Sequence, residues 1–196
     1  MINYERELVR ELSMKGYSYY DVYSIFKKKQ LLPEEVEIIL KWLPFIYSEH
    51  EGTGDTLVRS LMAAKEPFNP TTLIELFENS KFNFSIKSGI GFTLALAKTF
   101  DISNWLRDQL LNKDYSLERN ALVYGLVKKG GFRNNEELKK FIKKIFDKYH
   151  NDEIMRIFRK LGDKNDLVFL EEKSRSADNK LGKEINKVME KIRAKR

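Results

Sequence analysis

Three bases recur at near-regular intervals and are the side chains best placed to do chemistry together. Arg59, Lys87 and Arg119 lie 28 and 32 residues apart, each at the end of a triplet: Leu57-Val58-Arg59, Ser85-Ile86-Lys87, Leu117-Glu118-Arg119. Cationic groups repeated in this way could line a groove for an acidic partner or a phosphate backbone. The competing use is structural, with each base bonding helix ends or acids of the next repeat. Other constellations are thin. The two histidines, His50 and His150, are 100 residues apart, and no His-Glu-x-x-His spacing exists. Ser24-Ile25-Phe26-Lys27 has the spacing of a serine nucleophile and lysine base, but neither companion motif accompanies it. Gly52-Thr53-Gly54 and Gly89-Ile90-Gly91 lack the Lys-Ser/Thr and the preceding strand of a phosphate loop. No metal, cofactor or catalytic set is expected from these residues.

Composition narrows the classes further. The chain has 196 residues, 42% hydrophobic and 33% charged, as expected of a folded chain rather than a disordered one. It contains no Cys, which excludes disulfides and thiolate chemistry and fits a reducing cytoplasm. No apolar signal segment or membrane span is legible, so a cytoplasmic location is expected. The net charge of +7 is unevenly placed: residues 1–100 hold 12 Lys and Arg against 13 Asp and Glu, and residues 101–196 hold 24 against 16. Such a basic half suits phosphates, anionic lipid or an acidic protein surface, or is simply a solvated lysine-rich face.

Positioning these bases falls to helices. Nearly every segment reads as a helix of 10 to 16 residues between turn signals. Residues 3–14 and 18–29 form a first pair, broken at Lys15-Gly16. Pro33 opens a third helix, with Glu34, Glu35 and Glu37 at its positive end, and Pro44 is expected to kink or end it. Gly52-Thr53-Gly54-Asp55 reads as a turn before a helix at 55–65, and Asn69-Pro70 caps one at 70–79. Ser85 caps 86–99, Ser103 caps 103–112, and Gly130-Gly131 stops a helix at 116–129. Asn134 or Asn135, Asn151 or Asp152, and then turns near Gly162 and Lys173–Lys180 delimit the rest, ending with a helix at 178–195. Units of about thirty residues cannot bury their own apolar faces, so they must stack.

Asp55-Thr56-Leu57-Val58-Arg59 resembles the second helix of a HEAT repeat, and so does Leu161-Gly162-Asp163 followed by Leu167 and Phe169-Leu170-Glu171. The pattern departs from the family in later units, where Asp152 or Glu153, and then Gly182 or Lys183, replace the base. The resemblance implies an all-α, right-handed α-solenoid of about five HEAT-like pairs in one domain. Residues 1–32 would be an irregular capping pair, 33–177 the repeats and 178–196 a capping helix. It further implies a non-enzymatic protein-binding scaffold that carries another protein on its concave face. The alternative partner is nucleic acid, held on the basic surface. A HEAT-like family of alkylpurine DNA glycosylases uses an acid and nearby aromatics in a basic cleft. Trp105 and Asp108, with Asp101 and Tyr115 close by, supply those residue types without matching that family's motifs. Trp105 beside Leu106 and Leu110 equally suits a core, and Asp101 and Asp114 suit caps. An exposed tyrosine group at Tyr17, Tyr19, Tyr20 and Tyr23 suits either partner binding or an end cap.

Overall fold

Local sequence chemistry sets the helix ends. In the computed structural model, which describes residues 3–114, 116–149 and 152–195, helix α1 (Tyr4–Met14) starts where the Asn3 side chain accepts the Arg6 N–H. It ends at Gly16, whose φ of 87° suits glycine. Helix α2 (Val22–Phe26) carries a reciprocal cap between Asp21 and Ser24, so Ser24 is committed to structure. Helix α3 (Pro33–Glu49) has Pro33 in its first turn, and Glu35 reaches back to the Leu32 N–H. Pro44 does not end α3; the helix runs on to Glu49.

The segment Gly52–Asp55 is not a turn. It forms the first turns of α4 (Glu51–Ser60), because His50 Nδ1 accepts the Thr53 N–H and caps the helix earlier than expected. Gly54 is there for packing: a Cβ would collide with the Tyr47 ring of α3. Helices α5 (Thr71–Glu78), α6 (Phe84–Leu96) and α7 (Ser103–Leu111) follow. Asn83, rather than Ser85, caps α6, and the Asp101 carboxylate takes the Ser103 N–H before α7. The expected helix at 116–129 is α8 (Leu117–Asn120), a 3-10 segment (Ala121–Gly125) and α9 (Leu126–Lys129).

The chain divides into two compact units, Met1–Gly130 and Gly131–Arg196. In the first unit the helices form two rows. Helix α3 packs on α1 and α5, and α7 joins α5 through the Phe77–Trp105 edge contact and a Gln109–Glu78 hydrogen bond. The second row runs α2, α4, α6, then α8 with its 3-10 segment, each packed on the last. Buried Leu12, Ile39, Leu57, Leu61, Phe77, Ile90, Leu94, Leu110 and Leu122 fill the space within the unit. The loops after the second-row helices pair in short parallel bridges, Leu31 with Ala64 and Phe68 with Thr99. Among the described residues there is no longer β structure.

The second unit contains α10 (Asn135–Ile145), α11 (Asp152–Leu161), α12 (Leu167–Ser176) and α13 (Asn179–Arg193). Asn134 and Asp178 cap α10 and α13. Its core includes Ile142, Phe146, Ile154, Phe158, Leu170, Ile185 and Val188, with the Phe146, Phe158 and Phe169 rings in mutual contact. Beside this core Lys139 is buried among carboxylates. It bonds Asp163, lies 2.7 Å from Glu136 and 3.0 Å from Asp166, and Lys143 approaches Asp166 at 2.7 Å. Burial lowers the Lys139 basicity, but these three acids outweigh it and hold the ammonium above its ordinary value. Among the described residues no helix is long and apolar enough to cross a membrane.

Candidate binding face

The second row of the first unit packs against the first row and keeps several large apolar side chains exposed. On α6 Ser85, Ser88, Phe92 and Leu96 stay out of the core as a stripe at helical spacing, with Phe84 and Lys87 also outside it. Also outside the core are Asp55 and Arg59 on α4 with Met62 in the 3-10 turn Leu61–Ala63 after it, Tyr23 and Phe26 on α2, and Leu117, Tyr124 and Val127 along α8, its 3-10 segment and α9. Phe92 and Tyr124, on neighbouring elements, have ring centroids 5.3 Å apart. At or just after the end of each successive element an apolar side chain is exposed: Phe26 at 41%, Met62 at 38%, Leu96 at 50% and Val127 at 48%.

Close approach within the row is made by glycine. Gly89 faces the Asp55 carboxylate and the Arg59 guanidinium, so α4 side chains lie across α6. Gly91 faces the Glu118 carbonyl and Ala121, and Gly125 faces Ala95. Asp55 Oδ2 accepts from Arg59 Nε at 2.8 Å, while its Oδ1 is buried without a partner. Nearby the Tyr47 hydroxyl is also buried without a partner; burial first, and the Asp55 charge second, push its ionisation well above the ordinary tyrosine value.

The three candidate bases occupy adjacent helices but different levels of them. Arg59 lies in the last turn of α4. Lys87 lies near the start of α6, one turn before Gly91, on the flank turned to α8. Arg119 points back toward the first row, donating to Gln109 Oε1, the Asp114 carbonyl and Ser116 Oγ. Arg59 pairs with Asp55 on its own helix. Trp105 and Asp108 are on α7 in the first row. The Trp105 indole donates to Glu78 at 2.8 Å, and Asp108 accepts from Asn112. The Asp101 carboxyl is held below its ordinary value by the Ser103 N–H and hydroxyl. His50 caps α4. Tyr115 and His150 lie outside the described residues, as does Asn151. Among the described residues no cluster of His, Asp or Glu has the arrangement of a metal site.

Lysines follow each of these exposed apolar side chains in sequence. Phe26 is followed by Lys27 and Lys28, Met62 by Lys65, Leu96 by Lys98, and Val127 by Lys128 and Lys129. The signal was legible as an apolar residue followed within three positions by lysine at the end of each second-row helix. Lys28 pairs with buried Glu35, and Lys129 Nζ is turned inward onto the Leu94 carbonyl and Thr99 Oγ1. Burial pulls the Lys129 amine down to about 8. Lys27 lies over the Tyr23 ring at 4.3 Å, and Lys98 donates to the Lys65 carbonyl at 2.9 Å. Lys27, Lys65, Lys98 and Lys128 form no ion pair with any described residue. Acids are near them in sequence too: Glu66 follows Lys65, and Asp101 lies three residues after Lys98. Comparison of the chain with protein-family models, with curated proteins and with solved structures gives no match.

Proposed function

We propose that this chain is a non-enzymatic protein-binding module, that its first unit is a short α-solenoid of HEAT-like helix pairs, and that the exposed apolar side chains of the second row carry the partner. The observation that supports this reading is the repetition itself. Along the second row an apolar side chain is exposed at or just after the end of each successive element, at Phe26, Met62, Leu96 and Val127. An isolated exposed apolar residue is ordinary, whereas its recurrence on successive elements, beside the Phe92–Tyr124 ring pair of the last two, supports an interaction surface. Large aromatic side chains there bury area on binding with little rotamer loss.

The test is a double substitution, Leu96→Asp with Val127→Asp. Both side chains are about half exposed, so folding is retained. Co-purification of a discrete protein with the native chain, resistant to nuclease and lost in this variant, is the expected result. A complex that dissolves on nuclease treatment, or one indifferent to the two aspartates, contradicts the reading. In the nuclease-sensitive case the partner is a nucleic acid and association falls steeply with salt.

A further inference from the structure

Going beyond the first unit, we infer that the second unit carries a separate surface for duplex nucleic acid, held by its phosphates along a lysine stripe on α13. The net charge of the chain sits in this unit. Residues 131–196 hold 19 Lys and Arg against 12 Asp and Glu, whereas residues 1–130 hold 17 against 17. Most carboxylates of the second unit already hold a cation: Asp163 and Asp166 hold Lys139, Glu153 holds Arg156, Asp147 holds Lys173 and Glu171 holds Arg193. On α13 the buried Ile185, Val188, Met189 and Ile192 form one face, and Lys180, Lys183, Lys187 and Lys191 recur at helical spacing on the exposed one. None of these four forms an ion pair with any described residue. Lys180, Lys183 and Lys187, with Asn179 and Glu184, border one open hollow of about 370 Å³. Segment 179–195 holds six Lys and Arg against two acids, Glu184 and Glu190, so its face stays positive.

The make-up of this surface selects the partner. From Lys180 to Lys191 the helix rises about 16 Å, a length over which a nucleic-acid duplex carries about ten phosphate charges. An extended acidic peptide carries at most about five in the same length, and the centres of protein interfaces are built on aromatic anchors and depleted of lysine. No such anchor accompanies the stripe: among the described residues of the unit, Val168 on α12 is the one large apolar side chain more than half exposed. An anionic membrane gripped by an amphipathic helix needs an apolar face to enter the lipid, and that face of α13 is buried in the core. A single strand would be held by bases stacking on aromatic rings, and segment 179–195 has none. Lysine meets a phosphate as a point charge on a flexible stem and reads no base edge, so the contact is independent of sequence.

The probe is a fluorescein-labelled DNA duplex of about twenty base pairs, titrated with the full chain and read by fluorescence anisotropy between about 50 and 200 mM KCl. Four lysine–phosphate contacts give a slope of about −3.6 in log affinity against log salt, so affinity is expected to fall about a hundredfold or more over that range. In the combined variant Lys180→Gln, Lys183→Gln, Lys187→Gln and Lys191→Gln the slope is expected to shrink by about 3 to 4, with binding at about 50 mM KCl at least about tenfold weaker. All four side chains are exposed, and an unchanged circular-dichroism melt checks that the variant is folded. A charge-matched control removes four exposed lysines of the first unit, Lys27→Gln, Lys65→Gln, Lys81→Gln and Lys128→Gln together. It is expected to change the slope by less than about 1.

If the control flattens the slope as much as the stripe variant does, net charge rather than α13 holds the duplex and the inference is overturned. It is overturned as well if the full chain leaves the duplex free at about 50 mM KCl. Phosphatidylserine vesicles or polyglutamate bound as tightly as the duplex, and lost in the stripe variant, overturn it in favour of a membrane or an acidic protein. Leu96→Asp with Val127→Asp is expected to leave the duplex isotherm unchanged, so the protein-binding reading of the first unit stands or falls separately. A weakened isotherm in that variant would place the duplex on the first unit and overturn the inference.

Discussion

Substituting Gly125 by Ala probes whether the second row is packed as closely as the binding face requires. A Cβ on Gly125 would lie 3.0 Å from Ala95 Cα, 3.2 Å from its carbonyl oxygen and 3.3 Å from its Cβ. These are backbone atoms and a short side chain, so no flexible group can swing aside. Helix α6 and the 3-10 segment must separate by a few tenths of an ångström. Overpacking of this kind costs about 1–3 kcal/mol. Gly125 has helical backbone angles, φ −83° and ψ −16°, so alanine returns about 0.5–1 kcal/mol of chain entropy. The net expectation is a loss of about 1–2 kcal/mol, or a fall of about 2–8 °C in Tm at roughly 2–4 °C per kcal/mol.

The assay can be confined to this unit. Both tryptophans, Trp42 and Trp105, lie within Met1–Gly130, so urea or thermal melts followed by tryptophan fluorescence report its unfolding. Gly182→Ala is the control. Its nearest neighbour is the Ser174 carbonyl at 3.7 Å, so only the entropic gain remains, and the second unit is expected to gain about 0.5–1 kcal/mol by circular dichroism. If Gly125→Ala is neutral or stabilising like Gly182→Ala, the close approach of α6 to its neighbour is wrong.

In the second unit, Lys139→Met leaves Asp163 and Asp166 without their shared ammonium and is expected to cost about 3 kcal/mol, read by circular dichroism in urea. The same cluster sets an acid limb. Hydrogen bonds from Lys139 and the Asn165 N–H hold the Asp163 carboxyl below its ordinary value. Burial raises Asp166, but Lys143, the Asp163 N–H and Lys139 outweigh it. Both folded values lie below the unfolded ones, so this stability is present above about pH 4 and is lost as pH falls through the folded values. A flatter acid limb for Lys139→Met is the expected sign. Lys129 works in the opposite direction. With its folded value near 8, below the unfolded value of about 10.4, the fold disfavours its charge, and the first unit gains stability as pH rises from about 8 to 10. Tryptophan-detected melts across that range should show the gain, and Lys129→Met should lack it. Glu35 is fully buried and accepts from Tyr19, Lys28 and the Leu32 N–H, so Glu35→Gln is expected to destabilise the first unit by about 1–3 kcal/mol in the same melts.

The all-α character and most helix ends were legible because they rest on neighbours in sequence. Pro33, Asn134, Asp178 and Gly131 each act within a turn of themselves. Misread features depend on distant residues. Gly54 looked like turn chemistry, but its lack of a side chain answers the Tyr47 ring from α3. Gly125 sits within a segment expected to be one helix, and the tightening there accompanies its approach to Ala95. Pro44 was open to being a kink or a stop, and α3 continues past it with Ile46 and Tyr47 buried. The bases were matched to one another by interval, but what each bonds is set by the fold: Arg59 pairs with Asp55, and Arg119 donates to Gln109, Ser116 and the Asp114 carbonyl. The apolar–lysine endings of the second-row helices were visible in the sequence, but their exposure depends on how the rows pack.

A photo-crosslinking scan examines the proposed binding surface most directly. A crosslinking amino acid placed singly at Phe26, Met62, Leu96 and Val127, and for comparison at Glu75 on α5, is irradiated in cell extract. One protein species captured from all four second-row positions, and not from Glu75, is the predicted result. Capture from Glu75 alone, or unrelated species from each of the four positions, would mean that these side chains do not share a binding surface.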